Sequence, residues 1–343
     1  MLIIGCDYHP SFQQIAFVDD ATGEYGQRRL EHGNEEAQQY YRSLKGQKVL
    51  VGVEATGSMR WFERLLAECG HELWWGNPAK IRAAAVGRQK TDKRDADLIL
   101  QLLIEKRFPR LWVPSVEQRE GRQLVLHRHR LVQMRKRVKN QLQALAMNEG
   151  VQRKHKLWSQ AGQAELQGLS LGPWASVRRT DLTDLRKDLD GKIDVLNQGL
   201  EQQVEQRPEV RRLMTHPGVG PVVATAFVLT IGEPGRFKKS KEVAAYLGLV
   251  PLEDSSGGRQ RLGHITKQGN SMLRGLLVEA AHVAVRREPE WQRKYKRLAM
   301  KKNRSIAAVA VARCLAVRLW WMWKLGLDYG PMKESRSHAE SLV

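Results

Sequence analysis

Two aspartates three residues apart form the first candidate catalytic or metal-binding pair. Asp92 and Asp95 lie in a mixed basic and acidic segment, residues 90–97, that leads into an apolar stretch with helical spacing. Residues three apart share one face of a helix, so the two carboxylates can point at the same spot. Like charges at this spacing repel, and a hard divalent cation such as Mg²⁺ relieves the repulsion because it prefers oxygen ligands. The alternative is an exposed helix start, where the helix dipole favours acidic residues.

Two further acids each end an apolar run. Asp7 follows the first apolar run of the chain, and Glu54 ends a later β-branched run. Neighbouring strands of a parallel or mixed sheet end at one edge, where sites of α/β proteins form. A helix carrying Asp92 and Asp95 on that sheet would bring four carboxylates together, which requires bound cations. Two Mg²⁺ ions about 4 Å apart would polarise a phosphodiester. The ordered set of acids therefore predicts a ribonuclease-H-like site, although any single acid at a strand end is more often a cap or surface residue.

A serine-containing loop is the third candidate. Ser255 and Ser256 precede a Gly-Gly pair, and the cations Arg259, Arg261 and Lys267 follow closely. A serine in such a loop is suited to attack phosphorus, because nearby cations would stabilise the developing oxyanion. From these residues alone, a polar loop that only touches backbone phosphate is the favoured interpretation.

Charge and composition limit the class of partner. Lysine and arginine number 57 against 37 acidic residues in 343, a formal net charge of +20. This excess favours a polyanion, because each cation set against a phosphate releases counterions. A membrane surface is the competing partner, but no signal-peptide pattern and no uninterrupted apolar run of about 18 residues is visible. We expect a soluble cytoplasmic protein that binds nucleic acid. Three widely separated cysteines indicate neither a disulfide framework nor a zinc site.

The first hundred residues alternate strand and helix patterns, which predicts an α/β layer with parallel pairing, opened by a hairpin. The predicted strands are residues 2–7, 14–18, 48–54 and 71–75, and the predicted helices are residues 35–44 and 59–69.

Two long amphipathic helices follow, one over residues 116–150 and one carrying apolar residues from Leu182 to Val204. Their spacing predicts an antiparallel hairpin or coiled-coil arm. The first helix is strongly basic, either as a solvated face or as a surface for RNA or DNA; a second basic cluster covers residues 293–304. The basic residues of the first helix are Arg128, Arg130, Arg135, Lys136, Arg137 and Lys139. Pro208 marks the start of a third, mainly helical unit.

In combination and in this order, the motifs resemble those of the insertion-sequence-110 family of transposases, which also includes the pilin-gene DNA invertases. The front motifs are Gly5-Cys6-Asp7, Val53-Glu54-Ala55-Thr56-Gly57 and Lys90-Thr91-Asp92-Lys93-Arg94-Asp95-Ala96. The rear motifs are Pro217-Gly218-Val219-Gly220, Gly248-Leu249-Val250-Pro251, Ser255-Ser256-Gly257-Gly258 and Ile265-Thr266-Lys267-Gln268-Gly269-Asn270 with Leu273-Arg274.

The resemblance implies a role for each candidate. Its Asp-Glu-Asp-Asp tetrad maps to Asp7, Glu54, Asp92 and Asp95, which would bind Mg²⁺, with two ions expected. Its serine nucleophile maps to Ser256, immediately before the Gly-Gly pair, and the adjacent Ser255 stays open.

The implied fold is α/β plus α, with an N-terminal RNase-H-like (RuvC-like) domain. We expect this DEDD catalytic domain over residues 1–115, a basic coiled-coil helical linker over 116–207, a mainly helical, serine-bearing transposase domain over 208–330, and a disordered tail over 331–343. The implied assembly is a homo-oligomer, a dimer or a tetramer, in which Ser256 of one protomer completes the tetrad of another.

The implied activity is cutting and rejoining of donor and target DNA through a covalent phosphoserine, guided by a structured RNA. The candidate nucleic-acid contacts are the six basic helix residues together with Arg259, Arg261 and Lys267. Alternatives are a site-specific invertase with the same chemistry, a metal-dependent junction resolvase or nuclease, and a non-catalytic nucleic-acid-binding protein. The ordered acids argue against the last, and Ser256 separates a recombinase from a hydrolytic nuclease.

Overall fold

The computed structural model describes residues 1–57, 59–85, 91–152, 156–253 and 261–330. The chain divides into two compact units, unit 1 (Met1–Val113) and unit 2 (Pro114–Val343). The predicted end of the first domain at residue 115 lies two residues from this division. A further division of unit 2 at residue 208 stays a prediction, and the predicted tail over 331–343 lies outside the described residues.

Unit 1 is a mixed five-stranded sheet with helices on both faces, and the alternating pattern predicted its α/β character. Its elements are β1 (Leu2–Tyr8), β2 (Phe12–Asp19), β3 (Tyr25–Glu31), α1 (Glu36–Ser43), β4 (Val49–Glu54), α2 (Arg60–Cys69), β5 (Glu72–Gly76), α3 (Pro78–Ala84) and α4 (Asp92–Ile104). The strand order is β3-β2-β1-β4-β5. The first three strands form an antiparallel meander, whereas β1, β4 and β5 are parallel.

The strand β3 is absent from the sequence prediction for a physical reason. Leu30 is the one buried residue of this edge strand, and the other positions are exposed or half-buried. An edge strand with one buried side chain has no apolar run to reveal it. It is recognised only through its pairing with β2.

Alternation along β1 and β4 sends side chains to two separate cores. On one face, Ile4 and Val51 pack with α1 and α2 residues such as Phe62. On the other face, Ile3 and Leu50 pack with residues of α4. The α4 face therefore carries the odd-numbered positions of β1 and the even-numbered positions of β4.

Glycines let α4 lie directly on the two central strands. A Cβ at Gly5 of β1 would stand 2.4 Å from the Ala96 carbonyl oxygen and 2.4 Å from the Leu100 nitrogen. A Cβ at Gly52 of β4 would stand 2.6 Å from the Leu103 side chain. Because the first contact is with helix backbone, Gly5 sets how closely α4 approaches the sheet.

Unit 2 begins with two long helices and continues as a helical assembly with one short strand pair. Its elements are α5 (Val116–Asn148), α6 (Gln160–Gln167), α7 (Pro173–Gln206), α8 (Pro208–Met214), α9 (Pro221–Ile231), a 3₁₀ turn (Pro234–Arg236), α10 (Ser240–Tyr246), β6 (Pro251–Glu253), β7 (Leu262–Ile265), α11 (Ser271–Arg287), α12 (Pro289–Lys301) and α13 (Arg304–Leu325).

The helices α5 and α7 run antiparallel. Arg128 contacts Asn197 and Arg135 contacts Asp190, so residue numbers rise along one helix as they fall along the other. Leu142 and Ile193 lie in their shared apolar core. A second, larger core surrounds α9, α11 and α13.

Among the helices of the described residues, α13 is the one whose length and composition would allow it to span a bilayer. Half of its most apolar window is nevertheless buried inside the protein. Its Arg318 lies 3.6 Å from Glu290 and stacks on the buried Trp291. The core helix of a soluble protein passes the same length and composition test.

We predict that Gly5→Ala destabilises the protein by about 2 kcal/mol or more, because the new methyl group meets helix backbone that has nowhere to move. Gly33→Ala is the matched control, since no atom lies within 4 Å of a Cβ at Gly33. Urea-unfolding midpoints of both variants and the wild type measure the effect. Equal midpoints for Gly5→Ala and the wild type would contradict the packing of α4 on β1.

Candidate metal and catalytic site

Asp7 lies near the carboxyl end of β1, on the sheet face that α4 covers. It is two positions beyond Gly5, so strand alternation gives it the same face. Its Cα partner on β2 is Gln14. The Asp7 side chain is 18 % exposed, which makes it a largely buried carboxylate at the sheet edge.

Asp92 and Asp95 stand in the first turn of α4, where the helix dipole favours negative charge. The Thr91 side chain caps this helix by accepting a hydrogen bond of 3.4 Å from the Arg94 backbone N–H. The helix start is also tied to β3. Asp97 accepts hydrogen bonds from the Tyr25 hydroxyl at 2.7 Å and from the Gln27 amide at 2.6 Å.

The structure brings Asp7 and Asp92 together around His9. The His9 Nε2 atom lies 3.1 Å from Asp7 Oδ2 and 3.6 Å from Asp92 Oδ1. One ligand atom from each of these three residues lies within 4.8 Å of the other two. The His9 ring stacks on Phe12, with ring centroids 4.5 Å apart. Sequence reasoning missed His9, although its spacing of two residues from Asp7 on an extended chain was an available signal.

Asp95 acts on this cluster through its charge. The pKa of Asp7 is raised, first because burial disfavours the carboxylate and further because Asp95 and Asp92 are negative. The positive charge and hydrogen bond of His9 act in the opposite direction. Asp95 itself lies outside the three-residue ligand group.

Glu54 also lies outside that group. Cys6 and Val53 are Cα partners on the parallel strands β1 and β4. Glu54 is thus next to Asp7 along the sheet edge, and alternation places it on the α4 face. Its carboxylate lies 4.0 Å from the Arg82 guanidinium.

This donor set fits a divalent cation. Carboxylate oxygens suit Mg²⁺ or Mn²⁺, and an imidazole nitrogen is tolerated by transition metals such as Mn²⁺. Burial first, and then the charges of Asp95 and Asp92, raise the pKa of Asp7, and a bound cation would offset both effects.

Ser255, Ser256 and Arg259 lie outside the described residues. The strands on either side of their segment, β6 and β7, pair antiparallel. Arg261 is exposed, and Lys267 is exposed in a left-handed backbone conformation with φ 55°. The Lys267 amide donates a 3.2 Å hydrogen bond to the Gly248 carbonyl oxygen.

The basic residues of α5 divide into two groups. Arg128 and Arg135 bond to side chains of α7, and Lys139 lies over the Trp158 ring. Burial lowers the pKa of Arg128 and of Lys139. The second group is exposed and makes no hydrogen bond or ion pair with any described residue; it consists of Arg130, Lys136 and Arg137.

Two family models match the chain. A model described as "Transposase", of the DEDD type of IS110, matches residues 4–148, and a model described as "Transposase IS116/IS110/IS902 family" matches residues 210–296. The acids of unit 1 fall within the first match.

Several known proteins resemble this chain over most of its length. It is 28% identical to a "Probable family 20 transposase" of Pseudomonas aeruginosa, with 96% of this chain and 98% of that protein covered. It is 26% identical to the "Transposase for insertion sequence element IS1111A" of Coxiella burnetii, covering 93% and 88%. It is 25% identical to a "Pilin gene-inverting protein" of Moraxella bovis, covering 83% and 80%.

We predict that Asp7→Asn raises the thermal stability of the metal-free protein at pH 7. Because the folded-state pKa of Asp7 is raised, its contribution to stability is present below its unfolded pKa and is lost as pH rises through the folded value. At neutral pH the ionised group therefore destabilises the fold, and Asn removes that cost.

Melting temperatures in EDTA from pH 3 to pH 8 check this. The advantage of Asp7→Asn should shrink as the pH falls toward the ordinary aspartate pKa of about 3.9. The exposed Asp20→Asn is the control and should follow the wild type. An Asp7→Asn variant less stable than the wild type at pH 7 would show that the carboxylate is already compensated.

Proposed function

The chain belongs to the IS110 family of transposases and acts on DNA as a transposase or recombinase, and we propose that it does so with four carboxylates, a divalent metal and a serine nucleophile. The observation that carries this proposal is the convergence of Asp7 and Asp92 at one edge of the sheet. The same chemistry would serve site-specific inversion, a second candidate favoured by the similarity to the Moraxella protein.

We assign the metal to Asp7, Glu54, Asp92 and Asp95, with Mg²⁺ as the physiological ion. When bound, two such ions would polarise the phosphodiester and stabilise its entering and leaving oxygens. The protein residues position this chemistry. Gly5 lets α4 approach the sheet, Thr91 caps the helix that carries two of the acids, and His9 holds Asp7 and Asp92 next to each other.

The strand order of unit 1, an antiparallel meander next to two parallel strands, supports the RNase-H-like fold as the scaffold of this site. The antiparallel pair α5 and α7 supports the proposed coiled-coil linker. The residues after it form the proposed serine-bearing domain.

The proposed nucleophile is Ser256. Its oxygen would bond to phosphorus while the bond to one bridging ester oxygen breaks, and that oxygen leaves with a proton. Attack on the phosphoserine by a hydroxyl of the partner strand would reverse the step, so that no hydrolysis is needed to rejoin the ends. Cations near the loop, among them Arg261 and Lys267, would balance the charge that builds on phosphorus.

The tetrad lies in unit 1 and Ser256 in unit 2, which supports composite sites in a homo-oligomer, a dimer or a tetramer. The net charge of +20 supports the binding of a structured guide RNA as well as DNA. Faithful choice of target sites by RNA-free protein would contradict guidance by RNA.

We predict that Asp95→Asn abolishes strand cleavage in Mg²⁺, with a loss of at least about a hundredfold, because metal-assisted catalysis requires the complete ligand set. Binding of DNA in EDTA should stay within about twofold, since the carboxylates repel phosphate when no metal is present. Gel assays of cleavage, together with Mn²⁺ binding followed by electron paramagnetic resonance, measure both effects. Asp20→Asn is the exposed control. Recombination by Asp95→Asn at the wild-type rate would remove Asp95 from the tetrad.

We predict that the wild type forms a covalent protein–DNA adduct on a suicide substrate and that Ser256→Ala does not. Mapping the attached peptide identifies the nucleophile, with Ser255→Ala as the matched control. Mixing Ser256→Ala with Asp95→Asn protomers should restore adduct formation if each active site draws on two protomers. An adduct on Ser255 would move the assignment by one residue, and cleavage with no adduct would indicate a hydrolytic nuclease.

A further inference from the structure

A polar cleft opens beside the acids of unit 1 and extends from Asp92 over residues of β2 and β3 to which the proposed chemistry gives no role. Its volume is about 510 Å³. It is lined by Gln14, Gln27, Arg28, Arg29, Thr91, Asp92 and Lys93. Resting on the proposed function of the acids, we propose that this cleft binds the DNA strand next to the cleaved phosphate, with Arg29 and Lys93 contacting its backbone phosphates.

The cleft continues directly from the acids along one row of the sheet. Asp7 pairs with Gln14, and Gln14 pairs with Arg29, on three neighbouring strands. Residues paired in this way point to the same face. Strands lie about 4.8 Å apart, so the Cα atom of Arg29 is roughly 10 Å from that of Asp7. A DNA strand that presents one phosphate to the acids would therefore place a neighbouring phosphate over this row of residues.

Gln14 forms the floor of the cleft and is incompletely bonded. Its residue surface is 5% exposed, yet its one side-chain hydrogen bond is the 3.4 Å contact from Nε2 to the Ile15 carbonyl oxygen. Among the described residues its Oε1 atom has no hydrogen-bond partner. Because this amide lines the cleft, water or a ligand in the cleft can complete its hydrogen bonding. In the cleft, the second N–H of Nε2 can donate to a phosphate oxygen of DNA, and water or an amino group of a base can donate to Oε1.

Two contacts hold the Arg29 side chain in place and leave the Nη atoms of its guanidinium available to a ligand. Its guanidinium carbon lies 3.7 Å from the centroid of the Phe12 ring, and its Nε atom donates a 2.7 Å hydrogen bond to Glu31. Its Nη atoms donate to none of the residues that the structure describes. Because a guanidinium edge presents two parallel N–H donors, it matches two phosphate oxygens. The Phe12 ring also stacks with His9, so a single aromatic ring contacts both residues.

Lys93 supplies the second cation. It is exposed in the first turn of α4, next to Asp92, and it forms no ion pair within the described part of the chain. Arg28 differs, because its guanidinium lies near Tyr40 and Glu36 on the side of α1. We therefore leave Arg28 out of the binding site.

A polynucleotide suits this cleft better than a small free anion. Asp92 forms part of the wall, and its charge repels a free phosphate that has no metal. A DNA strand is retained by contacts elsewhere on a chain with a net charge of +20, so it tolerates this local repulsion.

The test measures binding of a fluorescein-labelled 20-nucleotide single-stranded DNA to the full-length protein in EDTA, over a range of salt concentrations. We expect the double variant Arg29→Gln/Lys93→Gln to bind about tenfold more weakly at moderate salt. The slope of log affinity against log salt should fall by about 1.4, or roughly 0.7 for each lost contact to a single strand.

The double variant Arg42→Gln/Lys45→Gln is the matched control. It removes the same charge from exposed residues of α1 and of the turn that follows it, on the opposite face of the sheet. It should change affinity by less than about twofold. Equal losses of affinity and slope in the two double variants would overturn the proposal, because the effect would then be one of net charge alone.

Two single variants separate a lost contact from a disturbed fold. Arg29→Lys keeps the charge and should restore most of the salt slope, whereas a loss as large as that of Arg29→Gln would show that Arg29 only packs on Phe12. Gln14→Glu adds a charge to the floor and should weaken DNA binding at least as much as Arg29→Gln; unchanged binding would exclude the cleft.

Mn²⁺ binding by the same variants distinguishes this proposal from the proposed function. The cleft variants at Arg29 and Lys93 should bind Mn²⁺ as the wild type does. Failure of the wild type to bind Mn²⁺ would defeat the metal site and leave the DNA-binding result to stand by itself.

Discussion

The burial of the Asp7 carboxylate close to Asp92 and Asp95 is the constraint on which the design of unit 1 depends. Burial first, and then the charges of Asp95 and Asp92, raise the pKa of Asp7, so the surrounding structure must hold this arrangement in place. Here the absence of a side chain at Gly5 lets α4 lie on β1. The bonds of Asp97 to Tyr25 and Gln27 tie the start of that helix to β3. The ionised carboxylate of Asp7 destabilises the fold at this edge of the sheet, and a bound cation would relieve that cost.

The same edge explains how several weak features form one surface. His9 contacts two of the acids and stacks on Phe12. The Phe12 ring also packs against the guanidinium of Arg29, which lines the cleft. Acidic metal ligands and the proposed phosphate-binding cations Arg29 and Lys93 therefore lie close together, and Arg29 is held by its contacts with Phe12 and Glu31. For an enzyme that acts on DNA, this arrangement offers charge both to the cation and to the polyanion.

Several elements of the fold are readable from the pattern of side chains alone. The buried strands β1 and β4 show β-branched runs, and the long helices α5 and α7 show apolar residues at three-to-four spacing. The same pattern does not predict which basic residues of α5 bond to α7 and which are exposed. Arg128 and Arg135 share the basic pattern of Arg130, yet they bond across the hairpin to α7. Only the register between the two helices separates inward from outward cations.

The sequence by itself determined the acids, their order and their elements, because apolar periodicity and helix-start signals are local properties of the chain. Tertiary structure decided which groups join them. It placed His9 between Asp7 and Asp92, left Glu54 beside Arg82, and brought Gln14 and Arg29 into line with Asp7. The edge strand β3 buries a single side chain. Neither the strand nor the position of its Arg29 beside the acids could therefore be recognised from the local sequence. Long-range pairing supplies that information, because the partner that completes each contact lies far away in the sequence.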